Sequence, residues 1–185
     1  MLPSYSSALW SVLVAANVNQ FSLIVGPTAS GKTSVLEIAA AFMNNTLRTV
    51  PMSAACDTVD LLGGFDQVED RPGEFMWRDS VLVEAMIAGH WVVLDNANFC
   101  SPSVLDRLNP LVEPKGRLVL NEQGLVDGET RIVTPHPNFR LFATMDPKFG
   151  EISRAFRNRA IEVFCPPVDP ASLDATVLAS RHLIQ

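Results

Sequence analysis

Short apolar runs alternate with segments of helical spacing along this chain. Ala8 to Val18 is apolar at helical spacing, whereas Phe21 to Val25 is a continuous apolar run halted by Gly26, which predicts a buried strand. Thr33 to Met43 predicts a helix and Leu47 to Met52 a second strand. The polar, turn-rich stretch 63–73 predicts a loop. Ser80 to Ala88, ended by Gly89, predicts a helix, and Trp91 to Leu94 a third buried strand. Ser101-Pro102 predicts a helix through Val112, with serine as its cap and proline in its first turn. Arg117 to Leu120 and Arg131 to Thr134 predict a hairpin around a 124–128 loop. Phe139 to Thr144 and Ile161 to Phe164 complete the core strands, with a helix over Ser153 to Arg157 between them. Apolar strands alternating with helices predict an α/β fold whose mainly parallel sheet is covered on both faces.

Composition narrows the class. The chain has 185 residues, 48% of them apolar, which suits one domain with a sizeable core and not two. Its formal net charge of -6 argues against a broad electrostatic grip on nucleic acid, so no sequence-specific binding of that kind is expected. No apolar run is long enough to cross a membrane, and no leader pattern opens the chain, so no membrane partner is expected. Cys56, Cys100 and Cys165 are widely spaced among apolar neighbours, which fits reduced, buried thiols. His90, His136 and His182 form no ligand cluster with them. The Cys165-Pro166-Pro167 break predicts a boundary between a nucleotide-binding subdomain, 1–167, and a helix-like tail, 168–185.

The chemistry begins at Gly26-Pro27-Thr28-Ala29-Ser30-Gly31-Lys32-Thr33, followed by Ser34. In this spacing glycines let backbone N–H groups turn around phosphate oxygens. Lys32 reaches the β- and γ-phosphates, Thr33 offers a hydroxyl to Mg2+, and the next helix points its positive end at the anion. ATP and Mg2+ are the ligands expected. Trp91-Val-Val-Leu-Asp95 delivers an acid at a strand end, the usual magnesium-site partner of such a loop. Asn96 follows it, where ATPases of this kind often place Glu to activate water. Ala143-Thr-Met-Asp146-Pro147 ends another strand in polar residues; in a sheet with this strand beside the loop strand, Thr144 and Asp146 would lie near the γ-phosphate. Ser153-Arg154-Ala-Phe-Arg157-Asn-Arg159 offers arginines that could reach a neighbouring subunit's phosphate. No Asn-Lys-x-Asp base-reading motif is present, which disfavours a GTPase.

These motifs stand in the order of an AAA+ ATPase module. Gly73-Glu-Phe-Met-Trp77-Arg-Asp-Ser-Val-Leu82, Leu94-Asp-Asn-Ala-Asn98, Ser101-Pro-Ser-Val-Leu-Asp-Arg107, Leu111-Val-Glu-Pro114 and Pro135-His-Pro-Asn-Phe-Arg-Leu141 extend the match. Over residues 20–165 the chain resembles the midasin family, six-module AAA+ proteins of large ribosomal subunit assembly, and looks closest to a central module. The resemblance implies a P-loop AAA+ subdomain with sheet order 5-1-4-3-2 and a hairpin insertion. It implies ATP-driven movement between modules, with neighbouring AAA+ modules and the pre-60S particle and its assembly factors as partners, in the nucleus. It puts Asp146 at the sensor position and Arg157 or Arg159 at the arginine-finger position. Two departures stand out: Asn96 in place of the catalytic Glu, and a short 64–73 connection. With the tail 168–185 read as the start of a lid, they suggest an excerpt of a longer chain. A module that only holds nucleotide, and a MoxR-type or dynein-like module, remain as alternatives.

Overall fold

The structure is a computed structural model that describes residues 3–167 apart from 69, 70, 72 and 127. Helix α1 (Pro3–Asn17) leads to β1 (Ser22–Val25), the phosphate loop and α2 (Lys32–Phe42). After β2 (Leu47–Pro51) come α3 (Thr58–Leu62) and an antiparallel hairpin of β3 (Gly63–Gln67) and β4 (Phe75–Asp79). Helix α4 (Val81–Ala88), β5 (Trp91–Asp95) and α5 (Pro102–Leu105) follow. Short strands β6 (Leu118–Val119) and β9 (Ile132–Val133) pair around a smaller hairpin of β7 (Leu125–Val126) and β8 (Glu129–Thr130). Strand β10 (Arg140–Met145), α6 (Arg154–Arg157) and β11 (Ile161–Phe164) complete the described chain.

Five strands form one sheet in the order β11-β1-β10-β5-β2, every pair parallel. That is the expected order. The sheet is apolar on both faces because each strand alternates between two cores, as a pleat of period two requires. Leu23, Val92, Leu94, Leu141 and Ala143 join one core with Leu61, Leu62, Leu82 and Met86 of α3 and α4. Ile24, Trp91, Val93 and Phe142 join the other with Val12 and Ala16 of α1 and Leu36 and Ala39 of α2. Pro51 closes β2, an edge strand, where its missing N–H breaks no ladder. Ser80 caps α4 by accepting the Val83 amide at 3.2 Å.

Two expectations are corrected. The predicted loop over 63–73 contains β3, which pairs with β4; an edge-on contact between Phe65 and Trp77, 5.3 Å between ring centres, joins the two strands. The predicted helix from Ser101 to Val112 stops at Leu105 and continues only as a 3-10 turn to Leu108. Pro110 has no N–H to extend it. Nor is Ser101 a side-chain cap, since its hydroxyl pairs with that of Ser103 at 2.8 Å. The tail 168–185, read as the start of a lid, lies outside the described residues.

Candidate functional site

In a parallel sheet every strand delivers its end to the same edge, and ligands bind outside the carboxyl ends. Here Gly26, Asn96 and Asp146 directly follow β1, β5 and β10. The loop from Gly26 to Gly31 is held by close packing. A β-carbon at Gly26 would fall 2.3 Å from the Cys165 carbonyl oxygen beyond β11, so only glycine permits this approach. Ala29 and Gly31 take left-handed backbone, and a β-carbon at Gly31 would strike the Tyr5 ring at 2.5 Å. The Lys32 ammonium rests on the loop's own carbonyls, donating to Gly26 at 2.9 Å and Pro27 at 2.8 Å. Ser34 is exposed in the first turn of α2.

The acid at the end of β5 is tied from two sides. The Thr144 hydroxyl donates to Asp95 Oδ1 at 2.6 Å, and Thr33 Oγ1 lies 3.4 Å from the same oxygen. Asn96 is left-handed, with φ 57°, a backbone state that asparagine tolerates better than most residues. Its amide N–H donates to Thr144 Oγ1 at 2.9 Å and its side-chain Nδ2 reaches Asp95 Oδ2 at 3.4 Å.

Asp146 turns toward the phosphate loop. Its Oδ2 accepts the Thr28 amide at 2.7 Å and the Thr28 hydroxyl at 2.9 Å, while Oδ1 accepts the Lys148 amide at 3.0 Å. The Lys148 amide, then the Thr28 hydroxyl and amide, hold this carboxyl below the usual carboxylate range despite burial, with the Lys32 charge adding to the effect. Asn98 Nδ2 braces the Asp146 carbonyl at 3.2 Å.

The arginines lie elsewhere. β1 and β11 run parallel with Ser22 opposite Ile161, so Arg157 and Arg159 sit at the amino edge of the sheet and the phosphate loop at the carboxyl edge. Four residues of strand separate them, about 13 Å. Arg157 is held by Glu162 at 2.6 Å and Glu151 at 3.4 Å, and Arg159 by Glu113 at 2.9 Å. The expected site therefore divides into loop, Asp95, Asn96 and Asp146 together, and the two arginines apart.

The residues fit a magnesium nucleotide. A hydroxyl and a carboxylate are hard oxygen donors, and Mg2+ sites commonly use one or two protein ligands beside substrate phosphates. No cluster of three or more His, Cys, Asp or Glu side chains exists among the described residues to suggest a metal held by protein alone. Ser30 Oγ is buried within the loop without a partner among the described residues, a polar atom that a ligand oxygen could satisfy. The bonds from Thr28 to Asp146 and from Thr144 to Asp95 were not read from the sequence. A lone polar residue in the apolar run Leu141-Phe-Ala-Thr144-Met was the available signal for the second.

A sheet of this order with a phosphate loop and strand-end acid on its carboxyl edge defines an AAA-type nucleotide-binding module. The family model for the AAA domain of the dynein-related subfamily matches residues 22–160, and the chain belongs to that family. Within it, the chain is similar to midasin: it is 58% identical over 96 residues to that of Dictyostelium discoideum and 55% over 95 residues to that of Giardia intestinalis. These matches cover 52% and 51% of the chain, which spans about 2% of the length of either midasin. An uncharacterised Staphylococcus haemolyticus protein is 26% identical over 159 residues, 83% of this chain and 58% of its own length. The crystal structure of a candidate ATPase from Cytophaga hutchinsonii superposes with a TM-score of 0.66 at 16% identity, covering 88% of this chain and 46% of that one, a likeness of fold.

Proposed function

We propose that this chain holds ATP with Mg2+ at the Gly26–Thr33 loop, as one module of a larger midasin-like motor that remodels pre-60S ribosomal particles in the nucleus. Neighbouring AAA+ modules of the same parent chain and pre-60S assembly factors are then its partners. The observation that carries the nucleotide reading is the convergence of Lys32, Thr33 and Asp95 at one sheet edge, with Thr33 and Thr144 both directed at one oxygen of Asp95.

When bound, the magnesium nucleotide supplies a γ-phosphate whose release is the energy source. Lys32 would exchange two loop carbonyls for phosphate oxygens, and Thr33 and Asp95 would hold the cation. Asp146, already bonded to Thr28, reports on that end of the loop. Asn96 can orient water through its amide oxygen but cannot take a proton at neutral pH. Arg157 and Arg159, distant from the phosphate loop, would serve a neighbouring module and not their own nucleotide, once released from their carboxylates. Binding therefore outruns hydrolysis in this module. A second reading, a module that holds nucleotide structurally, is favoured by Asn96 itself.

Calorimetric titration with ATP and Mg2+ together with a single-turnover hydrolysis assay tests both. Saturable binding with turnover at background is expected. Absence of binding by the folded protein would end the nucleotide reading.

A further inference from the structure

A cavity of about 520 Å3 opens at the amino edge of the sheet, away from the phosphate loop. Its walls come from residues 18–21 ahead of β1, from the 111–117 turn, and from residues 134–141 leading into β10. Three cations line it, Lys115, Arg117 and Arg140, against a single carboxylate, Glu113. That carboxylate is already engaged by Arg159 at 2.9 Å.

Arg140 is the unusual member. Its Nε donates to the Ala16 carbonyl, and its Nη1 donates to the carbonyls of Pro137 and Phe139, each at 2.7 Å. No carboxylate pairs with it among the described residues, and burial lowers its pKa. A partly buried guanidinium held by three neutral carbonyls keeps a full charge that they offset only in part. The Nη2 group has no protein acceptor among the described residues and remains for one. Lys115 adds a second sign of constraint. It sits in left-handed backbone, φ 57°, inside a turn closed by the Gly116 amide donating to Glu113 O at 2.9 Å. A β-carbon at Gly116 would fall 2.3 Å from the Leu111 carbonyl oxygen, so the turn cannot relax there. Strained backbone of this kind persists where the surroundings fix it, and it gathers at ligand clamps.

Within a chain of net charge -6, a concave and locally positive cleft focuses an attractive field on anions. Polar residues such as Asn19 and Thr134 share the rest of the wall with exposed apolar ones, Val18 and Pro114. A bare inorganic anion would satisfy the cations and leave that surface wet. Alternating carboxylate and apolar side chains would use both, and its volume lies within the usual range for a ligand site. We propose that this cavity docks an acidic, apolar-containing peptide segment of a partner protein. Carboxylates would pair with Arg140, Arg117 and Lys115, and the intervening apolar side chains would lie on Val18 and Pro114. The docking is independent of nucleotide at the opposite edge.

The test is an array of short peptides of constant apolar content and rising Asp/Glu content, probed with the purified chain. The tightest peptide is then titrated by fluorescence polarisation. Affinity should rise with acidic content and fall with added salt. Lys115→Glu combined with Arg117→Glu, both at exposed positions, should weaken binding roughly tenfold or more with the unfolding midpoint unchanged. Lys32→Ala should leave it intact, and inorganic phosphate or pyrophosphate should fail to displace the peptide. Binding that ignores acidic content, survives the double charge reversal, or yields to pyrophosphate would overturn the proposal, the last by making the cleft a small-anion site.

Discussion

Thr144 gives its hydroxyl hydrogen to Asp95 Oδ1 at 2.6 Å across two neighbouring parallel strands. The same hydroxyl oxygen receives the Asn96 amide at 2.9 Å, so one buried side chain fixes both the acid and the residue after it. Thr144→Val keeps the shape and removes both bonds. Leaving the Asn96 N–H unpaired costs about 1–3 kcal/mol. The valine variant should unfold earlier in denaturant and need more Mg2+ to reach half-saturation with ATP, while Thr144→Ser stays near the parent. A valine variant equal to the parent in both measurements removes Thr144 from the site.

Lys32 supplies the phosphate loop's only side-chain cation. Lys32→Ala should abolish most ATP affinity in calorimetric titration and leave the cooperative unfolding transition in place. Equal affinity in the variant would defeat the assignment of the loop.

Asp146 is where charge and ligand conflict. A carboxylate about 4 Å from a γ-phosphate oxygen is repelled by roughly 4 kcal/mol at an effective dielectric near 20. The bonds from Thr28 and Lys148 keep the group ionised, so ATP must displace it or draw a cation to it. Asp146→Asn should tighten ATP relative to ADP in competition titrations, and an unchanged ratio would show that the residue does not sense the γ-phosphate. The lowered pKa also sets a sign. A carboxyl depressed in the folded state adds stability above its ordinary value near 3.9, and that share is lost as pH falls through the lower folded value. Unfolding midpoints measured across this acid range should therefore fall less steeply for the asparagine variant.

Asn96→Glu should rescue little in the isolated chain. Restoring a general base is worth about 10²–10⁴ in rate, but a neighbour's arginine, worth some 10³–10⁵ in related reactions, would still be missing. Glutamate must also adopt the left-handed backbone that asparagine accepts here, at a cost of about 1–2 kcal/mol. Within an assembled ring, where a neighbouring module's arginine can reach in, the same change should raise turnover in a phosphate-release assay. Fast hydrolysis by the unmodified chain, lost in Lys32→Ala, would overturn the role given to Asn96.

The sheet was legible because its strands are short apolar runs bounded by breakers, as Leu23 to Val25 before Gly26 shows, and because the phosphate loop marks β1. The β3–β4 hairpin was not. Its residues Gly63, Gly64 and Asp66 carry no apolar alternation. Its second strand ends at Asp79, which accepts two bonds from Arg131, each at 2.7 Å, from far along the chain. Asp95 and Asn96 could be placed from the loop and the strand end alone. The Thr28–Asp146 contact depends on β10 lying beside β1, a fact of topology that no local pattern contains. The ion pair of Arg159 escaped for the same reason, since its partner Glu113 lies far back along the chain.

Strand β1 lies inside the sheet, yet both of its neighbours, β10 and β11, come from the far end of the sequence. Chain emerging from a ribosome therefore presents Leu23 and Ile24, fully buried when folded, long before any strand exists to pair with them. Non-local pairing of this kind slows folding and lengthens the time that sticky surface is exposed. The phosphate loop shares the delay, because the Gly26 amide bonds to Met145 O at 3.1 Å and the Cys165 amide to Val25 O at 2.8 Å. A nascent chain halted short of β10 carries the whole nucleotide-binding signature in its sequence and none of it in space. Nucleotide therefore cannot stabilise such an intermediate until β10 and β11 flank β1.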